Sequence, residues 1–104
     1  MAEQPHKVIY LPMALSDLQQ IVDYIACELK APQAAKNFIN KFDDAVSRLE
    51  LFPLSGSSYK GSKMLEYDYR MLVVENYLVF YTLLGNTLEI HRVLYRRRKF
   101  DELV

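Results

Sequence analysis

The sequence predicts an α+β fold of order β-α-α-β-β-β, a helical hairpin packed on a small twisted antiparallel sheet. Between residues 17 and 52 the apolar side chains recur every three or four positions, which is helical periodicity. After residue 64 the pattern changes to three β-rich runs divided by two-residue turn signals. Proline marks the junctions, at Pro12, Pro32 and Pro53.

Lys7 to Leu11 (KVIYL) is a short β-prone run stopped by Pro12, hence a strand. Ser16-Asp17-Leu18-Gln19 has the form of a capping box, with the Ser16 hydroxyl accepting from a first-turn amide and Gln19 reaching back. Leu18, Ile21, Val22, Ile25 and Leu29 then share one face, so the first helix is expected from about Asp17 to Leu29. Cys27 falls on it as a small buried or half-buried residue, not a nucleophile. Pro32 suits the first turn of a second helix. Its apolar ladder, Ala35, Phe38, Phe42, Ala45, Leu49 and Phe52, is the seam along which two helices pack. Asp43 and Asp44 point about 100° apart on it and read as a solvated face, not an acid/base pair.

Pro53 to Lys63 is a loop by composition. Leu65 to Val74, Tyr77 to Leu84 and Thr87 to Tyr95 form a meander, with Glu75-Asn76 and Gly85-Asn86 as its turns. Tyr67, Tyr69, Tyr77 and Tyr81 are expected in the core with their hydroxyls at its rim. Arg96 to Val104 makes a short charged tail with Phe100 and Leu103 as anchors.

At 104 residues, 51% hydrophobic and 25% charged, with three Gly, the chain fits one globular domain, residues 1–104, and no collagen-like or disordered polymer. The lone cysteine forms no internal disulfide, no apolar run approaches the roughly 18 residues of a membrane span, and the first residues lack a signal pattern. A cytoplasmic protein without membrane contact is expected.

Lysine plus arginine and aspartate plus glutamate both number 13, so the net charge is zero, which argues against a nucleic-acid-binding module. The zero is not uniform. Up to Phe52 five basic residues face seven acids, and beyond it eight basic residues face six. His91 to Lys99 (HRVLYRRRK) gathers Arg92, Arg96, Arg97, Arg98 and Lys99 without an acid. Such a local field can hold phosphate or an acidic partner.

The residues supply little other chemistry. His6, His91 and Cys27 lack metal-ligand spacing, and there is no phosphate-binding glycine loop or nucleophile elbow, so neither metal nor cofactor is expected. Arg70 in a Tyr-rich strand and Tyr95 before the arginine run could grip phosphates and stack bases, with His91, Tyr95, Glu66 or Glu89 left for general base work.

Across residues 7–100 the chain resembles the RelE/ParE superfamily of toxins from type II toxin–antitoxin modules. Carrying the likeness in order are Ala14-Leu15-Ser16-Asp17-Leu18, Asp23-Tyr24-Ile25, Ala35, Phe38, Leu49, Pro53-x-x-Gly56, Tyr69-Arg70, Asn76 to Tyr81 and Ile90 to Arg98. The resemblance implies a growth-inhibiting protein of the kind found in plasmid stabilisation. A cognate antitoxin would neutralise it, and operator DNA would be reached only through that antitoxin. The superfamily has two branches: RelE-like members cut messenger RNA in the ribosome, and ParE-like members poison DNA gyrase without a nuclease site. On the RelE-like reading Arg70, Tyr95, Arg96 and Arg98 would be catalytic. On either, Arg92, Arg96, Arg97, Arg98 and Lys99 would meet the antitoxin or the target.

The residues lean towards ParE. Leu78 stands where several nucleases place a further arginine, and Lys99-Phe100-Asp101 lacks their closing His or Tyr. The Phe52-Pro53-x-x-Gly56 exit is more ParE-like, and net neutrality suits docking inside ribosomal RNA poorly. A non-toxic relative that only pairs with a partner is the third reading. Whether the protein is an enzyme follows from the branch.

Overall fold

The computed structural model describes residues 6–58 and 69–97. Strand β1 (Lys7–Tyr10) leads into helix α1 (Pro12–Asp23), whose last turn continues as a π segment (Tyr24–Glu28). Helix α2 (Pro32–Leu51) follows, then a 3₁₀ turn (Pro53–Ser55) and a two-residue strand β2 (Ser57–Ser58). The meander closes the fold as β3 (Arg70–Val74), β4 (Tyr77–Leu84) and β5 (Thr87–Tyr95).

The sheet order is β1-β5-β4-β3-β2. The meander is antiparallel as expected, but β1 pairs in parallel with β5, Val8 opposite Leu88 and Tyr10 opposite Ile90, so the sheet is mixed. That pairing joins residues some eighty positions apart, which no local pattern encodes. Both turns use left-handed backbone. Gly85 at φ +59° takes it without a Cβ clash, whereas Glu75 at φ +56° does so with a side chain.

Three local readings change. The first helix begins at Pro12 with extended Leu11 as its N-cap and no side-chain cap, because proline at the first position needs no amide partner. Ser16 therefore lies inside the helix, where its hydroxyl accepts from the Gln20 amide at 3.3 Å, and Asp17 is free for a tertiary role. The loop after α2 contains the 3₁₀ turn and β2, and Phe52 leaves the apolar ladder at 64% exposure once the helix has ended. Cys27 is exposed, because the π segment carries it on the outer side. The expected strand start at Leu65, with Glu66 and Tyr67, and the tail residues Arg98, Lys99, Phe100 and Leu103 lie outside the described residues.

The core forms between one face of α2 (Phe38, Phe42, Ala45, Val46, Leu49) and the sheet (Val79, Tyr81, Leu88, Ile90, Val93). Each large apolar side chain buried there contributes about 1.5–3 kcal/mol. A smaller cluster of Tyr69, Leu78, Phe80 and Leu94 is separate from it, as strand alternation requires: Leu78 and Phe80 interleave with Val79 and Tyr81. No described helix is long and apolar enough to cross a membrane.

Candidate functional site

The helical hairpin does not cover the whole sheet. Where the start of β4 and the end of β5 meet α1, a groove of about 630 Å³ remains. Asp17, Ile21, Tyr24, Ile25 and Leu29 form its helical wall, Phe38 its floor from α2, and Tyr77, Val93 and Tyr95 its sheet wall. Tyr77 packs edge-on against Phe38 at 5.2 Å and against Tyr95 at 5.7 Å, so the aromatic rings form one connected surface. Tyr24 and Tyr95 are 52% and 40% exposed, which leaves them open to a partner. Burial raises the Tyr77 phenol above its ordinary range, and the neighbouring Tyr95 and Tyr24 add to that. The Tyr77 phenol is therefore a neutral hydrogen-bonding group near pH 7.

The basic strand end adjoins this groove. The Arg96 amide donates to the Asn76 carbonyl at 2.9 Å, tying the end of β5 to the β3–β4 turn. Asn76 and Tyr95 both line the groove, so the chain runs directly from its sheet wall into Arg96 and Arg97, both of them exposed. An apolar, aromatic trough with cations at one end can receive a chain segment that carries apolar anchors and an acidic flank.

Arg92 has another role. Its guanidinium donates to the Asp17 carboxylate from Nε at 2.8 Å and from Nη2 at 3.0 Å, and the Val93 amide donates to the same carboxylate at 2.9 Å. The two side chains are only 14% and 10% exposed. The hydrogen bond to Asp17 raises the already high pKa of Arg92, so the guanidinium keeps its charge under all ordinary conditions. β1 ends opposite Ile90, so the edge of β5 beyond it is open, and Asp17 takes the amide that a neighbouring strand would have taken. Asp17, which lies within the Ser16–Gln19 capping pattern in the sequence, is thus a tertiary anchor. No local pattern marks this role, because its partner lies seventy-five positions away.

Arg70 is likewise held. Its Nη2 donates to the Leu54 carbonyl at 2.9 Å and also to the Gly56 carbonyl. Tyr81, fully buried, donates to the Pro53 carbonyl at 2.8 Å and accepts from the Gly56 amide at 3.1 Å. Together the two side chains lock the exit of α2 onto the sheet. Arg70 pairs with Tyr81 and Tyr95 with Tyr77, so they sit four β4 positions apart, roughly 13 Å along the strand, with β4 between them. The structure does not bring Arg70 together with Tyr95 and Arg96.

His91 is the extra residue of a β-bulge, since Phe80 pairs with Arg92 and Tyr81 with Ile90. Its Nδ1 shares a hydrogen bond with the Tyr69 hydroxyl at 3.3 Å and its Nε2 one with the Thr82 hydroxyl at 3.0 Å. Glu89 lies 3.8 Å from Nε2. Burial lowers the His91 pKa, and Glu89 opposes that shift. The imidazole is a fixed, neutral strut at pH 7, with both ring nitrogens engaged.

Among the described residues no group of three His, Cys, Asp or Glu could hold a metal ion. A sequence model of the ParE toxin of type II parDE toxin–antitoxin systems matches residues 8–100. Among solved structures the chain is similar to one described as the chromosomal ParDE toxin–antitoxin system from P. aeruginosa, with 18% identity and a TM-score of 0.70 over 89% of this chain and 98% of that one. At that identity the likeness shows a shared fold. No curated protein matches the sequence.

Proposed function

The chain belongs to the ParE toxin family of type II toxin–antitoxin systems, and from that premise we propose a cytoplasmic toxin that poisons DNA gyrase and is silenced by an antitoxin segment docked in the groove between α1 and β5. The observation that carries the choice of branch is the fate of Arg70. Its guanidinium is committed to the Leu54 and Gly56 carbonyls, about 13 Å along the sheet from Tyr95, which leaves an RNA-cutting set unassembled. What faces outward is a docking surface: the Tyr24–Tyr77–Tyr95 wall with exposed Arg96 and Arg97 directly after Tyr95 in the chain. An acidic, fold-on-binding segment complements both parts. Arg98 and Lys99 would extend the cationic end. Arg92, held by Asp17, supports the wall instead of contacting the partner.

Purified protein added to gyrase, ATP and relaxed plasmid should block supercoiling and trap cleaved DNA, while translated messages stay intact. Unchanged supercoiling together with cleavage of messages in the ribosome would replace this reading with the RelE-like one. Normal growth on induction, with both assays silent, would leave a partner-binding relative without toxicity. For the docking surface, Tyr95→Ala and Arg96→Ala should each speed dissociation of the antitoxin encoded by the adjacent gene.

A further inference from the structure

The helical wall of the groove is not α-helical throughout. At Tyr24 the Leu29 amide donates to a carbonyl five residues back, at 3.0 Å, where an α-helix would bond four back. A π turn of this kind accommodates one additional residue. Asp17, Ile21 and Tyr24 line the groove at helical spacing, and an unbroken α-helix would next present Glu28. The additional residue passes that place to Leu29, which lines the groove, while Cys27 and Glu28 do not. The core does not require this, since Leu29 is 55% exposed. The chain nonetheless accepts left-handed backbone at Lys30, φ +51°, immediately after it.

We propose that the π segment Tyr24–Glu28 is the specificity device of the docking groove: it sets apolar Leu29, in place of the Glu28 carboxylate, against the bound antitoxin segment. The inference rests on the groove being the antitoxin site. Its logic is charge. Arg96 and Arg97 next to Tyr95 select an acidic segment, and a carboxylate on the opposite wall would repel that segment along its path. Two carboxylates already line the groove, but Asp17 is paired with Arg92 and Glu75 with Lys41 at 3.2 Å. Turning the wall by one residue keeps Glu28 from adding a third and supplies a contact for an apolar anchor in the same step. The device therefore selects a partner with an apolar side chain facing Leu29, and it discriminates against partners that offer a lysine or arginine there.

The test measures binding of the full chain to the purified antitoxin encoded by the adjacent gene, with unchanged helical circular dichroism and melting confirming that each variant is folded. Leu29→Glu should weaken binding about tenfold or more, mainly through faster dissociation, whereas Glu28→Ala and Leu29→Met should stay within about twofold of the parent. Full affinity in Leu29→Glu, or an equal loss in Glu28→Ala, would overturn the proposal. Tyr95→Ala separates the two levels of the argument. If it weakens binding while Leu29→Glu does not, the π-turn proposal fails alone. If neither weakens it, the groove is not the docking site and both fail.

Discussion

Replacing Asp17 with alanine should cost this domain about 3–5 kcal/mol, the range for breaking a buried charge pair from one side. The substitution removes one acceptor from three hydrogen bonds, two from Arg92 and one from the Val93 amide. It also strips the counter-charge from a guanidinium only 14% exposed. Domains of this size have about 5–15 kcal/mol of total stability, so the loss is a large share of the whole. Asp17→Asn preserves shape and one carbonyl acceptor, and should cost less, about 1.5–3 kcal/mol. Arg92→Met should cost less than Asp17→Ala, because the carboxylate keeps its bond to the Val93 amide. Combining Asp17→Ala with Arg92→Met should give a coupling energy of about 2 kcal/mol, since each single change already breaks the shared interaction. Urea unfolding followed at 222 nm supplies all four corners of the cycle, with constant m-values confirming a common unfolded state. A loss below about 1 kcal/mol for Asp17→Ala, or a coupling near zero, would refute the claim that this pair pins α1 to the open edge of β5.

Gly56→Ala should destabilise by about 1–3 kcal/mol in the same unfolding assay, because a Cβ there would lie 2.5 Å from the buried Tyr81 hydroxyl and 2.8 Å from the Met71 carbonyl. Tyr81→Phe should cost about 1–3 kcal/mol by orphaning the Gly56 amide, and limited proteolysis should then cut first near Pro53 to Gly56. Lys30→Gly should raise stability by about 0.5–1 kcal/mol, since it relieves left-handed backbone at φ +51° by more than glycine adds to the entropy of the unfolded chain. His91 has a lowered folded pKa, so the unfolded chain binds its proton more readily. Stability from this site is present above the unfolded value of about 6.5 and is lost as the pH falls through and below it. The urea midpoint of the parent should thus drop between pH 7.5 and 5.5 by more than that of His91→Gln, and equal drops would exclude His91 as the cause.

Much of the fold was legible because its signals are local. Tyr77–Leu84 and Thr87–Tyr95 have the expected bounds, since β-branched and aromatic runs ended by Glu75-Asn76 and Gly85-Asn86 leave the backbone few alternatives. Helix α2 runs from Pro32 to Leu51, bracketed by Pro32 and Pro53. The start of α1 is ambiguous in the sequence because Ser16-Asp17 satisfies the capping pattern as well as Leu11-Pro12 satisfies the proline rule, and only tertiary contact separates them. The π turn left no mark in the periodicity, because Ile25 and Leu29 are four apart, a step that α and π geometry both accept.

The site was less legible, and for a different reason. The sequence by itself determined the two helices, the first strand and the meander, the family likeness and the accumulation of positive charge after Ile90. It could not say which charges remain available, since that depends on contacts between residues far apart in the chain. Arg92 met Asp17 seventy-five positions away, and Arg70 met the carbonyls of Leu54 and Gly56. Arg96 and Arg97 stayed at the surface, beside a groove whose walls come from α1, α2, β4 and β5. Periodicity and propensity act over a turn or a strand, whereas desolvation and charge pairing are decided by whatever the folded chain brings within a few ångströms.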